Sequence, residues 1–184
     1  STGKMGYALA RAALQAGHEV TLITAPTALR PPAGATLVRV ESAAQMFAAV
    51  QEHLPRCDCL IMAAAVADYT PAHPAPTKLK KQAARLTLEL KPTVDILQWA
   101  GRHKKRGQIL VGFALEDRDL RANAERKLRE KNLDLIVANA PGAIGADTST
   151  LHIKAADRNW VQVPAARKTA SAARIMRMVE TLRA

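Results

Sequence analysis

Three runs, "DCLIMAAAVADY" at 58–69, "QILVGFAL" at 108–115 and "LDLIVAN" at 133–139, are apolar almost without interruption where they begin. A strand that is apolar on both faces must be covered on both faces, which is the condition of a strand inside a parallel sheet with helices above and below. Helical periods lie between such runs. "GKMGYALARAALQAGH" carries Met5, Ala8, Leu9, Ala12 and Ala13 on one face, with Gly17 placed to end the helix. Strands are predicted at "EVTLIT" (19–24) and "TLVRV" (36–40), separated by the proline-broken "APTALRPPAG". Ser42 is placed to cap a helix over "AAQMFAAVQEHL". "RLTLEL" (85–90) alternates and predicts an edge or half-exposed strand, and two further helices are expected near 94–105 and 118–132. The tail, "TLHIKAADRNWVQVP" and then "ARKTASAARIMRMVETLR", reads as a hairpin and a closing helix. The expected class is α/β: a Rossmann-like, three-layer fold with a largely parallel sheet and a C-terminal hairpin plus helix.

With 184 residues, 48% of them apolar, one domain over 1–184 is expected. A doubly wound sheet has a strand feeding its glycine loop, and "STGKMG" begins at Ser1, so a first strand and its loop are expected upstream. Cys57 and Cys59 stand too close along the chain to bridge easily and are expected to be reduced, in keeping with a cytoplasmic protein. No run reaches the length of a membrane span.

The net charge of +11 favours an anionic partner, nucleotide or nucleic acid. Only 3% of residues are aromatic, and the basic cluster "RHKKR" (102–106) has no ring beside it on which a base would stack, so it reads as a solvated helix end. Gly3 and Gly6 suit a loop whose backbone N–H groups meet phosphate at a helix start. That loop is not a Walker A loop, because no Ser or Thr follows Lys4. It is also a poor NAD loop, since the following strand ends in Thr24, Ala25 and Pro26 rather than an acidic residue, although Arg30 keeps NADP open. In such folds ligands bind beyond the carboxyl ends of the strands, where Asp68, Phe113, Glu116 and Asn139 stand.

"AAAVADYTPAHPAPTKLKK" (63–81) joins a strand end to an aspartate and then to a lysine-rich loop. With "STGKMGYALA", "VGFALED" and "KLREKNLDLIVAN" in order around it, the chain resembles the bacterial, CTP-dependent phosphopantothenate–cysteine ligase family. The resemblance implies a step of coenzyme A biosynthesis in which CTP and Mg²⁺ turn the carboxylate of 4′-phosphopantothenate into an acyl-cytidylate that cysteine attacks. It implies a catalytic, phosphate-contacting Lys78, with Lys80 and Lys81 as solvated neighbours or helpers. It also implies nucleotide contacts from Gly3, Gly6, Ala63, Ala64, Ala65, Asp68, Thr93, Val94, Asp95, Ile96, Phe113, Lys127 and Lys131. Ser1, Thr2 and Asn139 are candidate contacts to the other substrate, and no metal ligands are assigned. A homodimer is implied, as is a flavin-dependent decarboxylase fused or associated, with no membrane or nucleic-acid partner.

Bland roles compete for several of these residues. Asp68 would serve as a loop cap, Phe113 as core, and Lys127 and Lys131 as solvated lysines four apart on one helix face. The chain departs from the family pattern at Ile144, Thr148 and Ser149, and the asparagine used in the cysteine step has no counterpart, so residues 1–184 alone are expected to make little amide. Two other classes remain. An NAD(P)-dependent reductase would need Tyr-x-x-x-Lys, whereas Tyr7 and Tyr69 are followed by Arg11 and His73. A nucleic-acid module would use the charge and leave "AAAVADY" unexplained.

Overall fold

The computed structural model describes residues 2–81, 85–140, 142, 146 and 148–183. Helix α1 (Lys4–Gln15) is followed by β1 (Thr21–Thr24), β2 (Thr36–Arg39) and α2 (Ala43–His53), and then by a single 3₁₀ turn. Next come β3 (Cys59–Met62), β4 (Tyr69–Pro71), β5 (Leu90–Pro92) and α3 (Ile96–His103). Strand β6 (Ile109–Leu115), α4 (Leu120–Glu130), β7 (Leu135–Asn139), the β8–β9 hairpin (Thr148–Ala155, Val161–Arg167) and α5 (Lys168–Arg183) complete the chain. The five-stranded sheet has the order β3-β6-β7-β8-β9, parallel from β3 to β7 and antiparallel beyond; β1 and β2 pair in parallel separately.

Alternation along β6 and β7 divides the core in two. Ile109, Val111, Leu135 and Val137 join Leu9 of α1 and Ile175 and Val179 of α5 in one cluster. Leu110, Ile136 and Ala138 meet Leu97 and Ala100 of α3 and Ala124 and Leu128 of α4 in the other. The result is the expected three layers. Each fully buried Leu or Ile contributes on the order of 1.5–3 kcal/mol, so these few strands carry much of the stability. A third cluster seats Met46 and Val50 of α2 against Val40 and Ile96.

The local signals mostly act as read. Helix α1 ends at Gly17 with the paired bonds Gly17 N–H to the Leu14 carbonyl and His18 N–H to the Ala13 carbonyl, both 3.0 Å. Ser42 and Gln45 form a reciprocal capping box on α2. Three expectations are corrected. Strand β3 is half-buried along its whole length, because β6 is its one partner among the described residues. The 85–90 strand shrinks: pairing starts at Leu90 and runs to Pro92, although the Ala72 N–H still reaches the Glu89 carbonyl at 2.9 Å. And "RHKKR" is not simply solvated, since the Lys104 ammonium lies 2.9 Å from both oxygens of Asp134 and is only 15% exposed.

Cys57 and Cys59 are free thiols packed against different clusters, Cys57 on the α3/α4 side and Cys59 on the α1/α5 side. Burial pushes the Cys57 thiol above its usual value and pushes the Cys59 thiol up to about 12. The thiolate is the reactive species. Native protein at pH 8 is therefore expected to take up iodoacetamide at these sites at least ~10-fold more slowly than urea-unfolded protein; intact-mass spectra over time check this, and equal rates would contradict the burial argument. Among the described residues, no helix is long and apolar enough to cross a membrane.

Candidate functional site

Parallel pairing brings the carboxyl ends of β3, β6 and β7 to one edge, where Met62 lies opposite Gly112 and Leu115 opposite Asn139. The chain leaving β3 is then stitched to the chain leaving β5. The Thr93 hydroxyl donates to the Ala67 carbonyl (2.6 Å), and the Thr93 N–H donates to the Asp68 carbonyl (2.9 Å). The antiparallel β4–β5 ribbon just beyond brings these distant segments together. Between the two segments is a cleft lined by Met62, Ala64, Val66, Ala67, Asp68, Thr93, Val94, Asp95, Ile96, Leu97, Phe113 and Lys131.

Eight of the residues singled out from sequence meet in this cleft: Ala64, Asp68, Thr93, Val94, Asp95, Ile96, Phe113 and Lys131. The others among the described residues do not line it. Gly3 caps α1 in the left-handed region at φ 74°, which glycine adopts without strain. A Cβ on Gly6 would lie 4.0 Å from that of Ala63, so the first turn of α1 abuts the strand end that opens the cleft. Thr2 is exposed, and its carbonyl accepts from the Thr27 hydroxyl at 3.3 Å. Asn139 closes β7 with its carbonyl taken by the Glu116 N–H at 3.1 Å. Ala63, Ala65, Asn139 and Lys127 do not line the cleft. Neither does Lys78, which is exposed in the loop between β4 and β5 along with Lys80 and Lys81. Ser1 and Ile144 lie outside the described residues.

Lys127 and Lys131 are not free, solvated lysines. Lys127 is 2.7 Å from the Glu116 carboxylate, whose side chain is only 12% exposed, and Lys131 is 2.6 Å from Asp95. Glu116, at a strand's carboxyl end, was visible in the sequence; its partnership with Lys127 was not, because eleven residues and a turn separate them. Met62, Val66, Ala67 and Leu97 likewise carry no sequence signal beyond standing next to residues that do.

Asp95 does two jobs. It caps α3 by accepting the Gln98 N–H at 2.9 Å, and it holds Lys131. Burial pushes its carboxyl up, but the hydrogen bonds from Lys131 and Gln98, together with the lysine charge, outweigh that and leave it below the ordinary carboxylate value. A carboxyl lowered on folding binds fewer protons folded than unfolded, so stability rises with pH across the interval between the two values. The contribution is complete above the unfolded value and disappears as pH falls through the folded one. Asp95→Asn is expected to flatten the part of the acid limb of a melting-temperature profile that Asp95 controls; an unchanged limb would show that the pair is not thermodynamically coupled to folding.

Among the described residues, no three His, Cys, Asp or Glu side chains cluster as a metal site. Asp95 is engaged with Lys131, and Asp68 is the other carboxylate that lines the cleft.

Residues 1–182 match the family described as the DNA/pantothenate metabolism flavoprotein C-terminal domain. The chain is 51% identical over 169 residues to the coenzyme A biosynthesis bifunctional protein CoaBC of Bacillus subtilis (strain 168), covering 89% of this chain and 41% of that protein. It is 43% identical over 187 residues to a cysteine/cysteine sulfinic acid decarboxylase of an unknown prokaryotic organism, covering 99% of this chain and 52% of that one. The crystal structure of the C-terminal domain of a CoaBC protein superposes with a TM-score of 0.85 at 38% identity, over 99% of this chain and 83% of that one. The chain thus spans about half the length of these curated relatives. Both its sequence, over nearly its full length, and its fold place it in one group: the chain belongs to the DNA/pantothenate metabolism flavoprotein C-terminal domain family.

Proposed function

We propose that this chain performs the ligase step of coenzyme A biosynthesis, joining cysteine to 4′-phosphopantothenate with CTP. The observation that carries the reading is the cleft itself: Ala64, Asp68, Thr93 to Ile96, Phe113 and Lys131 converge at the strand ends in a chain 51% identical to part of a coenzyme A biosynthesis protein.

A carboxylate is a poor electrophile at neutral pH, and the site has to bring anions together before it can be activated. In the proposed sequence, a carboxylate oxygen of 4′-phosphopantothenate attacks the α-phosphorus of CTP, and the bond to pyrophosphate breaks. The cysteine amine then attacks the acyl carbon, loses a proton to solvent and expels CMP. Preorganised cations and backbone N–H groups lower both barriers without a general acid–base pair. Lys131 supplies an ammonium in the cleft, Lys127 a second one turn away on the same helix, and the first turn of α1 offers N–H groups beside Ala63. Lys78, exposed in the loop between β4 and β5, is assigned to the phosphates in this reading. Gly3, Gly6, Ala63 and Ala65 are assigned to the nucleotide in the same reading, and Thr2 and Asn139 to the other substrate. Asp68 is the cleft carboxylate that would hold a magnesium ion, which would supply charge neutralisation to the phosphates.

The finer assignments follow from the same reading. The exposed apolar residues of the ribbon and its loop, Tyr69, Leu79, Leu86, Leu88 and Leu90, support a homodimer in which a second copy covers them. The bifunctional relatives support a flavin-dependent decarboxylase in the same polypeptide or complex, and the setting proposed is cytoplasmic. Release of pyrophosphate by purified chain, dependent on both CTP and 4′-phosphopantothenate, is the test. Product analysis after adding cysteine separates activation from amide formation. Absence of pyrophosphate at every nucleotide concentration overturns the reading.

A further inference from the structure

Helix α3 holds Lys131 at two points. Its cap, Asp95, binds the Lys131 ammonium at 2.6 Å. Near its other end, Gly101 lies so close to the backbone of Lys131 that a Cβ there would overlap the Lys131 carbonyl. The next residue, Asn132, adopts the left-handed conformation (φ 51°) that ends α4, and its side-chain amide donates to the Gly101 carbonyl at 2.9 Å. The α4 terminus is itself closed by the Asn132 N–H to the Arg129 carbonyl and the Leu133 N–H to the Leu128 carbonyl. The place where Lys131 leaves α4 is therefore set by α3, through a close approach that only glycine permits and one amide tether.

We propose that Gly101 and Asn132 are positioning residues for the Lys131 ammonium in the cleft. Building any side chain at 101 forces the α4 terminus away from α3, because the overlapped atoms are backbone and cannot rotate aside. Lys131 then cannot keep its ion pair with Asp95 while Asn132 keeps its bond to the Gly101 carbonyl. A ligand phosphate that needs the ammonium in its present place loses a charge-assisted contact. The inference rests on the nucleotide reading above.

The test is a double-mutant cycle read by calorimetric titration of CTP with Mg²⁺, at a temperature where every variant is folded. Gly101→Ala is expected to weaken CTP about tenfold, the scale of one hydrogen bond to a charged group, and to weaken it no more than about twofold when Lys131 is already alanine. Asn132→Gly keeps the left-handed turn and removes only the tether, so it is expected to show the same dependence on Lys131 with a smaller loss. It also serves if Gly101→Ala does not fold. A purely structural role would give equal losses with and without Lys131, and that result, or no loss from either variant, overturns the proposal. If Lys131→Ala itself leaves CTP binding unchanged, it is the assignment of the cleft to nucleotide that fails.

Discussion

Lys78→Gln is expected to leave the melting temperature unchanged and to lower CTP-dependent pyrophosphate release by roughly a hundredfold, the scale of deleting one preorganised electrostatic contact. The first half follows from the structure: Lys78 is exposed in a loop and contributes nothing to the core clusters. The second half follows from the proposed chemistry, since pyrophosphate gains charge as it leaves and an ammonium beside it would stabilise that charge more than it does the ground state. Glutamine keeps polarity, shortens the side chain by one atom and removes the charge. Single-turnover pyrophosphate release with saturating 4′-phosphopantothenate separates the chemical step from binding. A variant that turns over near the wild-type rate would take Lys78 out of the mechanism and leave the cleft lysine, Lys131, as the main cation.

The largest effect on stability is expected at the opposite end of the sheet. Asp134 precedes β7 and its carboxylate accepts three hydrogen bonds, two at 2.9 Å from the Lys104 ammonium and one at 2.7 Å from the N–H of Leu110, which is fully buried. Asp134→Ala leaves a buried amide without an acceptor and a mostly buried ammonium without its partner, at a combined cost of about 3 kcal/mol. For a chain of this size that corresponds to a fall in melting temperature of roughly 6–12 °C. Asp134→Asn retains an acceptor for the Leu110 N–H and is expected to lose about half as much. Urea titrations of the three proteins check the order, and CTP affinity of the folded variants should not change, because Asp134 is at the amino ends of the strands and the cleft at the carboxyl ends. An alanine variant as stable as the parent would show that water replaces the carboxylate at Leu110.

Legibility from sequence differs between the elements and the site. Ser42 with Gln45, Gly17, and the apolar runs at 109–115 and 135–139 act through neighbours within a few residues, and each does in the fold what its spacing implies. Where pairing decides, the sequence misleads. "RLTLEL" alternates as a strand does, yet only its last residue enters a ladder, because the register with Tyr69–Pro71 places the partner at 90–92. The lysines show the same division. Their spacing put Lys127 and Lys131 on one face of α4, while their engagement by Glu116 and Asp95 depends on β6 and α3 arriving beside them.

The linear sequence determined, by itself, the type of nearly every segment, the two covered faces of the sheet and the edge on which a ligand site would form. These follow from the period of apolar residues, and a period is a local property that survives any arrangement of the loops. Tertiary structure alone decided which polar groups meet. Thr93 reaches the carbonyl of Ala67, and Asn132 that of Gly101, across 26 and 31 residues of chain. Contacts at that separation exist only after β3, β6 and β7 have assembled and their loops have closed, and no residue's identity records which distant partner the closed loops will bring to it.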